Sequence, residues 1–122
     1  MGIIICSIAD DTATARREAA AQIAFYTAPK AYGPVMEAAG FGREAAAVRD
    51  AFRAGDHGAM IEAVSDAMLD EMAVAGTADE VRDALPALER RYDHAALYSP
   101  SFTLTPERVA ENTRAIIETF AR

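Results

Sequence analysis

The stretch Ile3-Ile4-Ile5-Cys6-Ser7-Ile8 decides the fold, because it is short, nearly all apolar and rich in β-branched side chains. Such a run predicts a strand that is buried on both faces of a sheet. Asp10, Asp11 and Thr12 follow it and offer side chains that can cap a helix. Residues 13–28 are Ala-rich and contain few helix breakers. The N-terminal part of the chain therefore predicts a strand followed by a helix.

Two more pairs of strand and helix follow further along the chain. Residues 72–75 form a short apolar run, and Thr77 then opens a Thr-x-x-Glu capping box, the pattern of a helix start. Residues 94–98 form the third candidate strand. Thr105-Pro106 then provides a cap and a proline at the first helical position. The last helix is expected to span about residues 107–120 and to turn inward the side chains of Val109, Ile116, Ile117 and Phe120.

Residues 29–70 separate the first helix from the second strand and predict a helical insertion. Two helices there are expected to end at Gly40 and Gly55, because glycine is the usual residue just past a helix end. A third is expected to begin after Asp56 and to continue as one helix to about residue 69.

Composition limits the classes of function that this chain can have. It has 122 residues, which is one domain at most, and 19 Asp and Glu against 12 Lys and Arg give a net charge of −7. That balance argues against nucleic-acid binding, which needs clustered cations. The apolar run at the N-terminus is too short to span a membrane, and we expect a cytoplasmic protein. A single cysteine excludes an internal disulfide and a Cys-based zinc site.

Alternation of strands and helices indicates a parallel sheet covered by helices. Three parallel strands are a narrow sheet, and its open apolar edges must be paired, covered or charged. We therefore expect the fold to be incomplete, either as a piece of a larger barrel or as a chain that completes its sheet with another chain.

Several short motifs follow one another in a characteristic order. They are Ala24-Phe25-Tyr26, Pro29-x-x-Tyr32, Gly40-Phe41, Val64-Ser65-Asp66-x-Met68-Leu69-Asp70, Val74-x-Gly76-Thr77-x-Asp79-Glu80-Val81 with Arg82, and Tyr98-x-Pro100. In this order they resemble the C-terminal third of bacterial luciferase-like monooxygenases. The resemblance covers essentially the whole chain, although each motif taken alone has little specificity.

The resemblance implies a fold and a cofactor. Members of this family share a (β/α)₈ barrel and use either flavin mononucleotide (FMN) or the deazaflavin coenzyme F-420. Residues 3–8, 72–75 and 95–98 would be the sixth, seventh and eighth barrel strands. The expected fold is thus helix-rich α/β, the last three βα units of a TIM-barrel-like fold, incomplete as a barrel on its own. The first five strands, which supply much of the isoalloxazine pocket in the family, are missing.

The function that the resemblance implies is a part of a flavin- or F-420-dependent oxidoreductase or monooxygenase. This chain would contribute barrel closure and a wall on the substrate side, be inactive alone and hold a cofactor poorly. Its partner would be the missing barrel portion, in a longer precursor or a second chain. A non-catalytic α/β module that self-associates through its strand edges is the alternative. A third possibility is a helical interaction domain in which residues 3–8 are not a strand.

Candidate site residues follow from the barrel, in which reactions take place at the carboxyl ends of the strands. Gly76 and Thr77 are candidates for contact with a phosphate or another anion, because free backbone N–H groups at a helix start attract one. The alternative is that Thr77 only caps its own helix. Ser7, Ser99, Ser101 and Phe102 are candidate substrate-binding residues at the other strand ends, although the two later serines also suit ordinary turn chemistry.

Tyr26 and Tyr32, together with Phe41, are candidates for an aromatic wall against a flat substrate, although packing between helices also explains such spacing. His57, in a polar turn, and His94, at a strand start, lack partners at catalytic or metal-ligand spacing and receive no role. No metal site is expected.

Overall fold

The computed structural model describes residues 2–92 and 95–120. Its strands are β1 (Gly2–Ile8), β2 (Ala73–Gly76) and β3 (Ala95–Tyr98). Its helices are α1 (Thr12–Thr27), α2 (Gly33–Ala38), α3 (Gly42–Arg53), α4 (His57–Glu62), α5 (Asp66–Met72), α6 (Ala78–Arg91) and α7 (Pro106–Phe120), with a 3₁₀ turn at Lys30–Tyr32. The order of strands and helices expected from the sequence is therefore present.

The three strands form one parallel sheet in the order β2-β1-β3. Ile5 pairs with Ala73 on one side and with Tyr98 on the other, so β1 is the central strand. The helix-rich α/β class with a parallel sheet is confirmed. The stretch that decides the fold is a strand, contrary to the alternative of a helical domain.

The barrel part of the expectation is not confirmed, because the strand order differs from that of consecutive barrel strands. In a barrel, β2 would lie between its neighbours in sequence, whereas here β3 crosses over and pairs with β1. The two crossovers run in opposite directions along the sheet. Right-handed crossovers of this kind place their helices on opposite faces, which is the doubly wound arrangement.

Each face of the sheet has its own apolar core, because successive side chains of β1 point to opposite faces. Ile5 packs in a cluster with α1 to α5. Ile4, Cys6 and Ile8 face the other way and pack with Val74 and with α6 and α7. Cys6 is fully buried, and burial raises the pKa of its thiol to about 12, so this cysteine is a small buried apolar group.

The helix expected to run unbroken from Asp56 to about residue 69 is instead two helices, α4 and α5. The break has a local cause. Ser65 has an extended backbone, and its side chain accepts a hydrogen bond from the Met68 amide, so it caps a new helix. This capping chemistry gives α5 its own start.

The inward face of α7 also differs from the expectation. Ile117 was expected to face inward, but it is 62% exposed. The residue of α7 that is fully buried is Asn112, and Ile116 and Phe120 pack only partly against the sheet. Hydrogen bonds to the buried polar group, described below, set the rotation of this helix.

Gly40 and Gly55 end α2 and α3 as expected, and both have left-handed backbone angles, with φ of 89° and 72°. At the second of these ends, the Asp56 amide donates to the Ala51 carbonyl, the bond that defines a Schellman motif. The third expected helix start is also confirmed, because the Asp56 side chain accepts from the Ala59 amide.

Gly55→Ala is expected to destabilise the protein by about 1 kcal/mol, because a Cβ is disfavoured at positive φ. Gly58→Ala is the matched control, since Gly58 lies in α4 without a positive φ and an added Cβ would make an ordinary contact. Gly58→Ala should leave the free energy of unfolding unchanged or raise it by up to about 1 kcal/mol. Urea unfolding of both variants measures the difference, and an equal effect would contradict the assigned turn.

Candidate functional site

A largely buried polar cluster joins the carboxyl end of β1 to α1, α7 and the segment after β3. We call it the carboxyl-edge cluster, and its members are Ser7, Glu18, Gln22, Ser99, Arg108 and Asn112. The strand that decides the fold ends here, so this cluster lies where parallel α/β proteins carry their ligands.

The ion pair between Glu18 and Arg108 is the centre of the cluster. The Arg108 Nε and Nη2 atoms donate to the two carboxylate oxygens of Glu18 at 2.7 and 2.6 Å, a bidentate geometry. Arg108 Nη2 also donates to the Ile8 carbonyl at 2.7 Å, and the Ser7 hydroxyl donates to Glu18 at 3.1 Å. The bond to Glu18 raises the pKa of the Arg108 guanidinium. The guanidinium therefore stays charged, and its bonds tie α1 and α7 to the end of β1.

Asn112 satisfies backbone groups that the sheet leaves open. Its side-chain oxygen accepts from the Ile8 amide at 2.7 Å, and its Nδ2 donates to the Cys6 carbonyl at 2.9 Å. The same Nδ2 donates to the Ser99 hydroxyl at 2.8 Å. One fully buried side chain thus joins α7, the central strand and the end of β3.

Gln22 holds the segment that follows β3. Its side-chain oxygen accepts from the amides of Ser101 and Phe102 at 2.7 and 2.9 Å. The Phe102 ring then packs against Phe25 at 5.0 Å and against His57 at 5.4 Å between centroids. This segment is therefore fixed against α1 and α4.

The turn at Gly76 and Thr77 is occupied by its own capping interactions. The Thr77 amide donates to Glu80 Oε1 at 3.0 Å and the Glu80 amide donates to Thr77 Oγ1 at 3.4 Å, which is the expected capping box. A Cβ at Gly76 would lie 3.1 Å from the Glu80 Cβ and 3.2 Å from its Oε1, so a larger residue would displace the Glu80 side chain by a few tenths of an ångström. Close approach, and not a positive φ, favours the glycine.

A cavity of about 330 Å³ lies beside this turn, and carboxylates line it. Asp10, Asp79 and Glu111 contribute three of its lining residues, against the single cation Arg108. Because Arg108 is already paired with Glu18, and Asp79 with Arg82 at 3.0 Å, the excess negative charge of the cavity comes from Asp10 and Glu111. Contact of Gly76 and Thr77 with the phosphate of FMN or F-420 stays a prediction, and we derive no reaction step through either cofactor.

Stability is expected to fall in acid because of Glu80 and Asp11. Hydrogen bonds from Thr12 and then Thr77 lower the pKa of Glu80, and bonds from Thr14 lower the pKa of Asp11. A carboxylate whose pKa is lower in the folded state stabilises the fold above its unfolded value and loses that effect as the pH falls through the folded value. The unfolded values are 4.5 for glutamate and 3.8 for aspartate.

The urea concentration at the midpoint of unfolding should therefore be constant from neutral pH to about pH 5 and should decrease at lower pH. Glu80→Gln should make that drop shallower, because the amide does not titrate. Glu62→Gln, at an exposed position of α4, is the control and should keep the drop of the parent chain. Identical acid profiles for Glu80→Gln and the parent would contradict the capping role.

Tyr26 and Tyr32 lie in a second site, away from the carboxyl-edge cluster. Both line a cleft of about 800 Å³ toward the amino ends of the strands, together with Ile5 and Tyr98. The Tyr26 and Tyr98 rings meet edge to face, with centroids 6.3 Å apart. Phe41 is not among the residues that line the cleft, and it packs against the core cluster of α1 to α5.

The structure thus separates the predicted site residues into two groups. Ser7, Gly76, Thr77, Ser99 and Ser101 lie at the carboxyl ends of the strands, as expected. Ser7 is fully buried there and contacts protein groups, whereas Ser99 is half-buried and Ser101 is exposed. Ligand binding by these residues and by Phe102 stays a prediction.

Sequence reasoning missed Glu18, Gln22, Arg108 and Asn112, which hold the cluster together. A signal was present, because each helix carries two of them at a spacing of four residues. That spacing places both side chains on one helix face, and on an Ala-rich helix that packs against a sheet such a polar pair is informative.

The described residues, 2–92 and 95–120, hold neither a cluster arranged for a metal ion nor a helix suited to crossing a bilayer. No group of three or more His, Cys, Asp or Glu side chains there is arranged to hold a metal ion. No helix in the same residues has both the length and the apolar character needed to cross a bilayer. His94 lies outside the described residues.

The fold and the carboxyl-edge cluster together define a doubly wound α/β protein with its polar groups at the ends of parallel strands. The family model for luciferase-like monooxygenase matches residues 1–95. The chain therefore belongs to the luciferase-like monooxygenase family, as the ordered motifs predicted. No curated protein and no solved structure matches it.

Proposed function

We propose that this chain is part of a luciferase-like oxidoreductase that uses a flavin or F-420, and that it acts only when joined to the missing barrel portion. The observation that supports this is the family match over residues 1–95. The missing portion belongs to a longer precursor or to a second chain, and the complete assembly is cytoplasmic. The proposed contribution of this chain is a wall on the substrate side, and closure of a barrel would require β3 to leave β1 and to pair with β2.

The need for a partner is supported by the electrostatics of the turn at Thr77. The Thr77 and Glu80 amides at this helix start serve the capping box, and carboxylates of Asp10, Asp79 and Glu111 line the neighbouring cavity. A phosphate-bearing cofactor would meet repulsion there, so the missing portion must supply most of its contacts.

Native mass spectrometry of the chain recovered from its own cells, with and without added FMN or F-420, tests this proposal. We expect a cofactor only in assemblies that also contain the missing portion. A chain that binds no cofactor in any assembly would contradict the proposal, and a lone chain that retains stoichiometric cofactor would contradict the need for a partner.

The alternative function is a non-catalytic module that self-associates through its strand edges. The observation in its favour is the doubly wound sheet, because β3 already occupies the second edge of β1 and helices cover both faces. Strands β2 and β3 remain as short edge strands that a second copy could extend. A cofactor-free homomer in the same mass spectra would favour this function.

A further inference from the structure

The cleft that contains Tyr26 and Tyr32 is an open apolar concavity on one face of the sheet. Ile5 and Tyr98 form its floor, since the two residues are paired across β1 and β3. The C-terminal half of α1 contributes Tyr26, and the 3₁₀ turn and α2 contribute Tyr32 and Val35. Its volume of about 800 Å³ lies within the range of small-molecule sites.

The cleft is open because the helices of this face are displaced to one side. Helix α1 packs over β1 and β2, whereas β3 packs mainly against β1. The side chains of Tyr26, Tyr32 and Val35 are therefore 39%, 44% and 60% exposed. A contiguous exposed apolar surface of this kind often indicates a binding site, whereas single scattered apolar residues on a surface do not.

The lining carries little net charge. Glu71 is the carboxylate among the lining residues, and its Oε1 accepts from Arg91 Nη2 at 2.8 Å, so its charge is compensated. The Arg91 guanidinium also lies 5.5 Å from the centroid of the Tyr92 ring. Burial and the neighbouring Tyr26 hydroxyl raise the pKa of Tyr98, which stays a neutral phenol. The cleft therefore presents aromatic rings and neutral hydroxyls.

The ring geometry suits a flat ligand. The planes of Tyr26 and Tyr98 are inclined at 78°, so one ring offers a face and the other an edge. A planar aromatic molecule can stack on the first and meet the second in the T-shaped contact that aromatic quadrupoles favour. We propose that this cleft binds an uncharged planar aromatic molecule of two or more fused rings.

A second copy of this chain is a poorer occupant. The net charge of −7 makes two copies repel each other, whereas a neutral ligand meets no such repulsion. The concavity also has the size of a small molecule and is not a flat patch.

The test is titration of the purified chain with the uncharged naphthalene dye Prodan, followed by its blue-shifted emission. We expect one saturable site with a Kd on the order of 0.1 mM. The chain lacks tryptophan, so tyrosine emission transferred to the dye gives an independent readout of proximity. An anionic naphthalene sulfonate should bind more weakly than Prodan.

Two variants test the location. Tyr32→Ala and Val35→Asp alter exposed cleft residues and should weaken Prodan binding by about tenfold or more. Phe52→Ala and Ile117→Ala remove exposed apolar side chains elsewhere and should leave binding unchanged. Circular dichroism and thermal unfolding are the checks that all four variants fold.

Absence of saturable binding, or equal losses in the cleft variants and the controls, would overturn the proposal. A homodimer in native mass spectra that Val35→Asp dissociates, without dye binding, would assign the cleft to a second copy instead. Because Prodan has no redox role, failure here leaves the oxidoreductase proposal unaffected, and failure of that proposal leaves this one intact.

Discussion

Asn112→Leu is expected to lower the free energy of unfolding by about 3–5 kcal/mol. Leucine has a similar volume but neither accepts from the Ile8 amide nor donates to the Cys6 carbonyl and the Ser99 hydroxyl. Asn112 is fully buried, so water does not replace these bonds, and each unsatisfied group costs about 1–3 kcal/mol. Urea unfolding followed by circular dichroism measures the loss.

Thr113→Ala is the matched control on the same helix. The Thr113 side chain is exposed, and its hydroxyl donates only within the helix, to the Val109 carbonyl at 2.8 Å. Its replacement should change stability by less than about 0.5 kcal/mol. If Asn112→Leu cost no more than this control, the carboxyl-edge cluster would not be buried as described.

Glu18→Gln is expected to cost about 2–4 kcal/mol. The amide keeps the shape of the side chain but leaves the Arg108 guanidinium without a compensating charge. The Glu18 and Arg108 side chains are only 10% and 19% exposed, so water screens the remaining charge poorly. The loss appears as a lower urea midpoint with an unchanged slope.

Glu111→Gln is the control that shares the same arginine. Glu111 lies 4.0 Å from Arg108 Nη1 and its side chain is 74% exposed, so its neutralisation should cost less than about 0.5 kcal/mol. Replacing both partners, as in Glu18→Leu with Arg108→Met, should recover most of the loss, because no buried charge then remains. Equal costs for the two glutamine variants would contradict the ion pair.

Local features of the fold could be predicted from the sequence because short-range chemistry determines them. The capping box at Thr77 needs only two side chains three residues apart. Gly55 is predictable as a helix end because glycine readily adopts the left-handed backbone angles that follow a helix. The apolar run at β1 indicated burial on both faces, and each face does have its own core. The break before α5 depends on the equally local cap at Ser65, which the apolar periodicity concealed.

Strand order and the polar cluster could not be predicted in the same way. The strand with which β3 pairs depends on the direction of the crossover that leads to it. The four residues of β3 do not indicate that direction. Asn112 lies 106 residues from the carbonyl that it binds, and it is surrounded in sequence by other polar residues of α7. Only the assembled sheet distinguishes it from a solvent-facing asparagine.

The central position of β1 also has a consequence for how the chain folds. This strand precedes both of its partners in the chain, and they begin only at Ala73 and Ala95. The bond between Ile8 and Asn112 closes a separation of 104 residues. Loops this long make folding slow and leave the apolar strand β1 exposed until its partner strands pair with it. The nascent chain should therefore depend on chaperones until α7 has emerged from the ribosome.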